Sequence, residues 1–206
     1  LPDWEGAFNT SLRFKNWSFS MQWDGKVGGM TYSQSHHKMC EQGHLAETLN
    51  GRKPGTSLYL DIADPDVLKL FEKQKITPVA GVYCIAPGVV DNGDGTYSPN
   101  QKLVTLESYY KEYYRIGNVE TNTFSTTYLK LREVRLDYQL PKSWLKNTFI
   151  NNASVGIYGR NLLCITSYPM YDPETTSLDG NTFVPGVEVG TLPTSRSWGV
   201  NLKVDF

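Results

Sequence analysis

The sequence predicts an all-β protein whose strands belong to a transmembrane barrel. Three observations carry that reading: five segments that alternate apolar and polar residues, aromatic rings placed at the strand ends, and connections that are short and long in turn. Of the 206 residues, 39% are hydrophobic and 13% aromatic, with 13 Tyr, 8 Phe and 5 Trp, so the chain can bury or embed much apolar surface. A net charge of −1 gives no basis for a nucleic-acid partner. No stretch is long and apolar enough for a membrane helix, but a barrel strand needs only about 9–11 alternating residues.

The first segment sets Phe8, Thr10, Leu12 and Phe14 against Asn9, Ser11 and Arg13. After Lys15-Asn16, a two-residue hairpin connector, Trp17, Phe19, Met21 and Trp23 alternate with Ser18, Ser20, Gln22 and Asp24. The third carries Val134, Leu136, Tyr138 and Leu140 on one face, with Arg135, Asp137 and Gln139 on the other. Pro141, which has no N–H to donate, ends it. Ala153, Val155 and Ile157 alternate in the fourth segment with Ser154, Gly156, Tyr158 and Arg160. The fifth is the most regular: Trp198, Val200, Leu202, Val204 and Phe206 on one face, and Ser197, Gly199, Asn201, Lys203 and Asp205 on the other.

These segments predict strands over about residues 6–14, 17–25, 127–140, 152–163 and 195–206, joined by long loops over about 26–126 and 164–194. Short and long connections in alternation put both long loops on one side of the sheet, as in outer-membrane barrels. Within the first loop, Asp64-Pro65 reads as a helix cap followed by Pro at the first helical position, with Val67, Leu68 and Phe71 on one face. Leu106, Tyr109, Tyr110 and Tyr113 have helical spacing.

A soluble β-sandwich also alternates, with its apolar faces forming a dry core. Aromatic placement favours the barrel. Phe14, Trp17, Tyr138 and Phe206 lie at the short-turn ends, and Trp23 and Trp198 lie near the opposite ends, as interfacial girdles do. The eleven residues from Arg196 to Phe206 suit a tilted span, and ending on an aromatic is unusual for a soluble domain. On this reading Trp17, Phe19, Met21, Trp23, Val134, Leu136, Tyr138, Leu140, Trp198, Val200, Leu202, Val204 and Phe206 face lipid. Five strands cannot close a barrel, so the rest of the wall is expected from an N-terminal portion.

The run Tyr128-Leu-Lys-Leu-Arg-Glu-Val-Arg-Leu-Asp-Tyr-Gln-Leu-Pro141 resembles a near-C-terminal signature of the SusC/RagA-type TonB-dependent transporters. So do Val155-Gly-Ile-Tyr-Gly-Arg-Asn-Leu-Leu163, Tyr171-Asp-Pro-Glu174, the opening Asp3-Trp-Glu-Gly-Ala-Phe-Asn9 and the strand ending in Phe206. The resemblance implies the last five strands of a 22-stranded outer-membrane barrel of Bacteroidetes, with an N-terminal plug and a SusD-like surface lipoprotein as lid. It implies import of oligosaccharides or peptides, with energy from TonB through a segment outside this chain, and Phe206 as part of the barrel-assembly signal.

Other candidates have simpler readings. His36, Cys40 and His44 at i, i+4, i+8 could face a metal on one helix, but Gly43 interrupts the run, and an exposed loop is favoured. Asp91, Asn92, Asp94 and Gly95 hint at a calcium loop. Gly95 and Lys102 occupy the positions where the EF-hand pattern wants ligands, so tight turns explain them better. Cys40, Cys84 and Cys164 allow at most one internal disulfide, with Cys40–Cys84 a candidate and unpaired thiols the simpler reading. Tyr109, Tyr110, Tyr113 and Tyr114 could contact the lid or a substrate, or form a helix's buried stripe. No catalytic constellation stands out, and neither a metal nor a cofactor is expected. The alternatives to an importer are a soluble carbohydrate-binding β-sandwich and a passive porin or adhesin barrel.

Overall fold

A computed structural model describes residues 1–179 and 182–206, with the side chains of Leu178 and Asp179 left aside. Five long strands form one antiparallel sheet: β1 (Pro2–Phe14), β2 (Trp17–Gly28), β3 (Tyr128–Gln139), β4 (Asn152–Thr166) and β5 (Ser197–Asp205). They lie side by side in chain order, so each strand pairs with its sequence neighbours. The fold is all-β, with a few short helices confined to the connections.

Because paired residues share a face, the register sorts side chains into rows. Leu12, Phe19, Leu136, Ile157 and Val200 make one apolar row, and Phe14, Trp17, Tyr138, Val155 and Leu202 the next. On the other face, Ser11, Ser20, Arg135, Tyr158 and Gly199 align, followed by Arg13, Ser18, Asp137, Gly156 and Asn201. Two glycines make room for rings on the facing strand. A Cβ on Gly159 would stand 2.7 Å from the Trp198 ring, and one on Gly199 would stand 2.4 Å from Tyr158.

The alternation changes phase within β3. Gln22 pairs with Glu133 but Trp23 pairs with Leu131, which leaves Arg132 as an extra residue in β3. β4 bulges at the same level, where Asn161, in the left-handed region at φ 52°, and Leu162 separate the paired Arg160 and Leu163. Beyond the bulge Leu129 and Leu131 keep to the apolar face, because their partners Ile165 and Leu163 do. Arg132 is thereby turned to the polar side with Lys130 and Tyr128.

The chain divides into two compact units, residues 1–32 with 124–206, and Ser33–Thr123. Where a long loop was expected, the second unit has its own core. It holds α1 (Gln34–Glu41), α2 (Pro65–Lys73) and α3 (Leu106–Tyr113). Each helix is capped from its own sequence: Ser33 accepts from the His36 amide, Asp64 from Asp66 and Thr105 from Ser108. Cys40, Leu58, Cys84, Leu106, Tyr110 and Tyr114 pack into one buried cluster. Cys40 and Cys84 share that cluster as free thiols, and Cys164 is free and exposed. The Asp91–Asp94 turn joins two short strands, and its carboxylates accept from the amides of Gly93 and Thr96.

Candidate functional site

The apolar face of the sheet is uncovered. Trp198, Val200, Leu202 and Phe206 are 71–75% exposed, a condition that a second packed sheet would abolish. Trp17 is exposed on the same face, while Phe19, Met21, Trp23, Val134, Leu136, Tyr138, Leu140 and Val204 are half-buried among their neighbours. The rings at the short-turn end stand level: Phe14 pairs with Trp17, whose ring lies 4.7 Å from that of Tyr138. Phe206 stacks on Phe149 at 5.5 Å, and Trp144 is exposed in the same connection. Phe149 and Trp144 went unnoticed in the sequence because they lie between strands, where alternation gives no signal.

The opposite face carries charge in pairs. Arg135 holds Asp137 at 2.6 Å, Arg160 holds Glu133 at 2.7 Å, and Asn201 donates to Asp137 at 3.2 Å. Arg13, Ser18, Arg135, Asp137, Gln139 and Lys203 line a polar groove on this face.

At the bulged end the polar face closes over a network that ties the loop after β4 to the sheet. Lys130, almost fully buried, donates to Asp172 at 2.6 Å and to Glu174. Arg132 forks onto both oxygens of Asp24 at 2.7 Å and also reaches Glu174, to which the Tyr128 hydroxyl donates at 2.7 Å. The second oxygen of Asp172 accepts from the Thr194 amide and hydroxyl. Burial pushes both loop carboxyls up. Hydrogen bonds from Lys130 and Thr194 to Asp172, and from Arg132, Lys130 and Tyr128 to Glu174, more than reverse this, so both sit below the ordinary carboxylate value. The adjacent polar residues Arg132 and Glu133, which break the alternation, were the signal for the bulge that assembles this network.

The tyrosines of α3 divide. Tyr110 and Tyr114 are buried, and the Tyr110 hydroxyl donates to the Asn50 carbonyl at 2.8 Å. Tyr113 is exposed, with Tyr109 stacked beside it at 5.5 Å. The buried stripe is therefore Leu106, Tyr110 and Tyr114, one position later than the spacing suggested at Tyr113. His36 and Cys40 are buried on α1 instead of lying in an exposed loop, and the residue they meet is Glu47, from the separate short helix Ala46–Leu49.

No family model matches the chain. TonB-dependent receptor P3 of Formosa agariphila is 23% identical over 100% of this chain, which covers 16% of that protein. TonB-dependent receptor P26 of the same organism is also 23% identical over 100% of the chain, covering 17% of its own length. Among solved structures, the RagAB peptide importer in its closed-closed state superposes on 100% of the chain and 17% of its own, at a TM-score of 0.57 and 17% identity. Its open-open state gives a TM-score of 0.53 at 16% identity. The chain thus spans about a sixth of the relatives it matches. Over its whole length the chain is similar in sequence to these TonB-dependent receptors, and in fold to a segment of the RagAB importer.

Proposed function

We propose that the chain forms part of the membrane-spanning wall of a TonB-dependent importer of oligosaccharides or peptides in a bacterial outer membrane. The observation that carries this reading is the uncovered apolar face of the five-stranded sheet. A patch of that extent on a soluble surface would drive association, whereas against lipid it is the ordinary condition of a barrel wall. Lipid offers no hydrogen bonds, so the outer edges of β1 and β5 pair with further strands of a closed barrel. The polar face, with its paired charges, lines the wet interior and shapes the path of the cargo.

Both long connections follow strands that run in the same direction, so they share the extracellular side. There the exposed Tyr113 offers a rigid ring to a SusD-like lipoprotein lid or to the cargo. Energy enters through TonB and a plug outside this chain, and the strand ending in Phe206 serves as the signal for barrel assembly. The chain itself needs no catalytic group for this work.

Labelling of single cysteines in the full-length transporter tests the reading. Asn201→Cys and Lys203→Cys should react with a water-soluble maleimide in native outer membranes. Val200→Cys and Leu202→Cys should resist it, react instead with a bilayer-permeant fluorescent maleimide, and then be quenched by a lipid-borne quencher. Equal reactivity along β5 would remove the case for a spanning strand. Uptake of labelled glycans and peptides by cells with and without TonB then separates the importer from a passive pore.

A further inference from the structure

His36 and Cys40, one helical turn apart on α1, meet Glu47 from the short helix Ala46–Leu49. Their nearest ligand atoms all lie within 4.8 Å of one another. We propose that these three residues form a binding site for one divalent transition-metal ion, Zn²⁺ by its chemistry, held by Nε2 of His36, Sγ of Cys40 and a Glu47 oxygen.

The distances favour this. With zinc bonds of about 2.3 Å to sulfur and about 2.0–2.1 Å to nitrogen, a tetrahedral angle separates the two donors by about 3.6 Å. The observed separation of Cys40 Sγ and His36 Nε2 is 3.6 Å. Glu47 stands closer, at 2.6 Å from Nε2 and 2.9 Å from Sγ, as a hydrogen-bonded carboxylate would. It must move out by several tenths of an ångström to about 3.4–3.6 Å, the separations that the same bond lengths give. Its side chain is 45% exposed and free to do so. That exposed side also provides the entry path and leaves the fourth position to water.

The surroundings prepare the histidine as a ligand. Asn122, wholly buried, donates its amide nitrogen to the Tyr114 carbonyl at 2.9 Å, which aims its oxygen at His36 Nδ1, 3.0 Å away. A proton held on Nδ1 leaves the Nε2 lone pair pointing into the cluster, the arrangement common around metal-bound histidines. Tyr110 steadies the backbone of the other partner, its hydroxyl lying between the carbonyls of Asn50 at 2.8 Å and Glu47 at 3.3 Å.

Charge fits as well. A thiolate and a carboxylate neutralise one divalent cation, so the loaded site carries no net charge into a buried place. Without the ion, burial and the nearby Glu47 hold the Cys40 thiol protonated, well above its ordinary value. Binding therefore replaces both the S–H proton of Cys40 and the proton held between His36 Nε2 and Glu47, and releases them to solvent.

The test uses the full-length transporter in detergent, stripped with a chelator and titrated with Co²⁺. A thiolate-to-cobalt charge-transfer band should saturate at one ion per chain and vanish on adding Zn²⁺. Affinity should rise with pH as the ligand protons are released. Cys40→Ser, nearly equal in volume, should abolish the band, and Cys84→Ser should keep it. Asn122→Ala should weaken binding by about 10–100-fold. A titration without the band, or a band that survives Cys40→Ser, overturns the site.

Discussion

The two compact units of the chain differ in how much apolar side chain they bury. Among the described residues, Ser33–Thr123 contains Cys40, Leu58, Phe71, Cys84, Leu103, Leu106, Tyr110 and Tyr114 as buried apolar groups. The sheet unit contributes only Tyr128, Ala153 and Tyr168, while Lys130 and Asp172 are 3% exposed within it. Its large apolar residues are on the surface instead. Ser33–Thr123 closes around a compact apolar cluster, with the polar His36, His37, Thr48 and Asn122 also buried in it. The sheet leaves large apolar residues exposed on one face, and the residues it buries include the ion pair of Lys130 with Asp172. Mean composition cannot separate the two, because they place similar residues differently.

The contrast breaks most severely where a charge is left without its partner. Lys130→Ala removes the ammonium that Asp172 and Glu174 share and strands a buried carboxylate at Asp172. Breaking a buried pair in this way costs about 3–5 kcal/mol. The expected result is a lowered unfolding midpoint and rapid proteolysis between residues 172 and 194. Lys130→Met, which adds apolar volume, should not rescue it, whereas in an ordinary core such a swap would be tolerated. Unchanged protection of that loop would show that Arg132, Tyr128 and Thr194 suffice to hold it.

A smaller loss, of about 2–4 kcal/mol, is expected from Leu202→Arg, which places a guanidinium against lipid. The neighbouring Asn201→Arg, on the polar face, should change folding by less than about 1 kcal/mol. Urea titration of the full-length protein in lipid vesicles measures both. If the two variants behave alike, the sheet does not separate lipid from water, and the contrast between the units falls.

Most of the sheet was legible because alternation reports directly which residues share a face. Trp198 to Phe206 gave five residues of one face without any knowledge of pairing, and the hairpin at Lys15-Asn16 gave the register of β1 with β2. What alternation cannot report is contact between segments distant in the chain. Lys130 and Arg132 look like ordinary inward charges until Asp172 and Glu174, more than forty residues on, are brought to them. Glu47 lies close in the chain, but past the break at Gly43, so the helical spacing of His36 and Cys40 did not point to it. The tyrosine stripe was misphased for a different reason. Tyr109, Tyr110, Tyr113 and Tyr114 offer two adjacent faces of nearly equal character, and only packing against Leu58 and Cys84 selects the one bearing Tyr110 and Tyr114.

The smallest effect expected near neutral pH becomes large at the two extremes, in opposite directions for the two units. Asp172 and Glu174 sit below the ordinary carboxylate value in the folded chain. The unfolded chain therefore takes up protons first as pH falls, and the stability these groups contribute at neutral pH is lost in acid. Cys84 is displaced the other way, pushed up by burial from 9.0 to about 11. Between those values the unfolded thiol ionises while the folded one does not, so the stability of Ser33–Thr123 falls as pH rises. Hydrogen exchange on the full-length protein should show amides between 172 and 194 opening first in acid, and amides around Cys84 opening first in alkali. Glu174→Gln should blunt the acid response and Cys84→Ala the alkaline one, each leaving the other intact. A single opening shared by both units at either extreme would mean that they unfold as one, and that their different interiors do not make them independent.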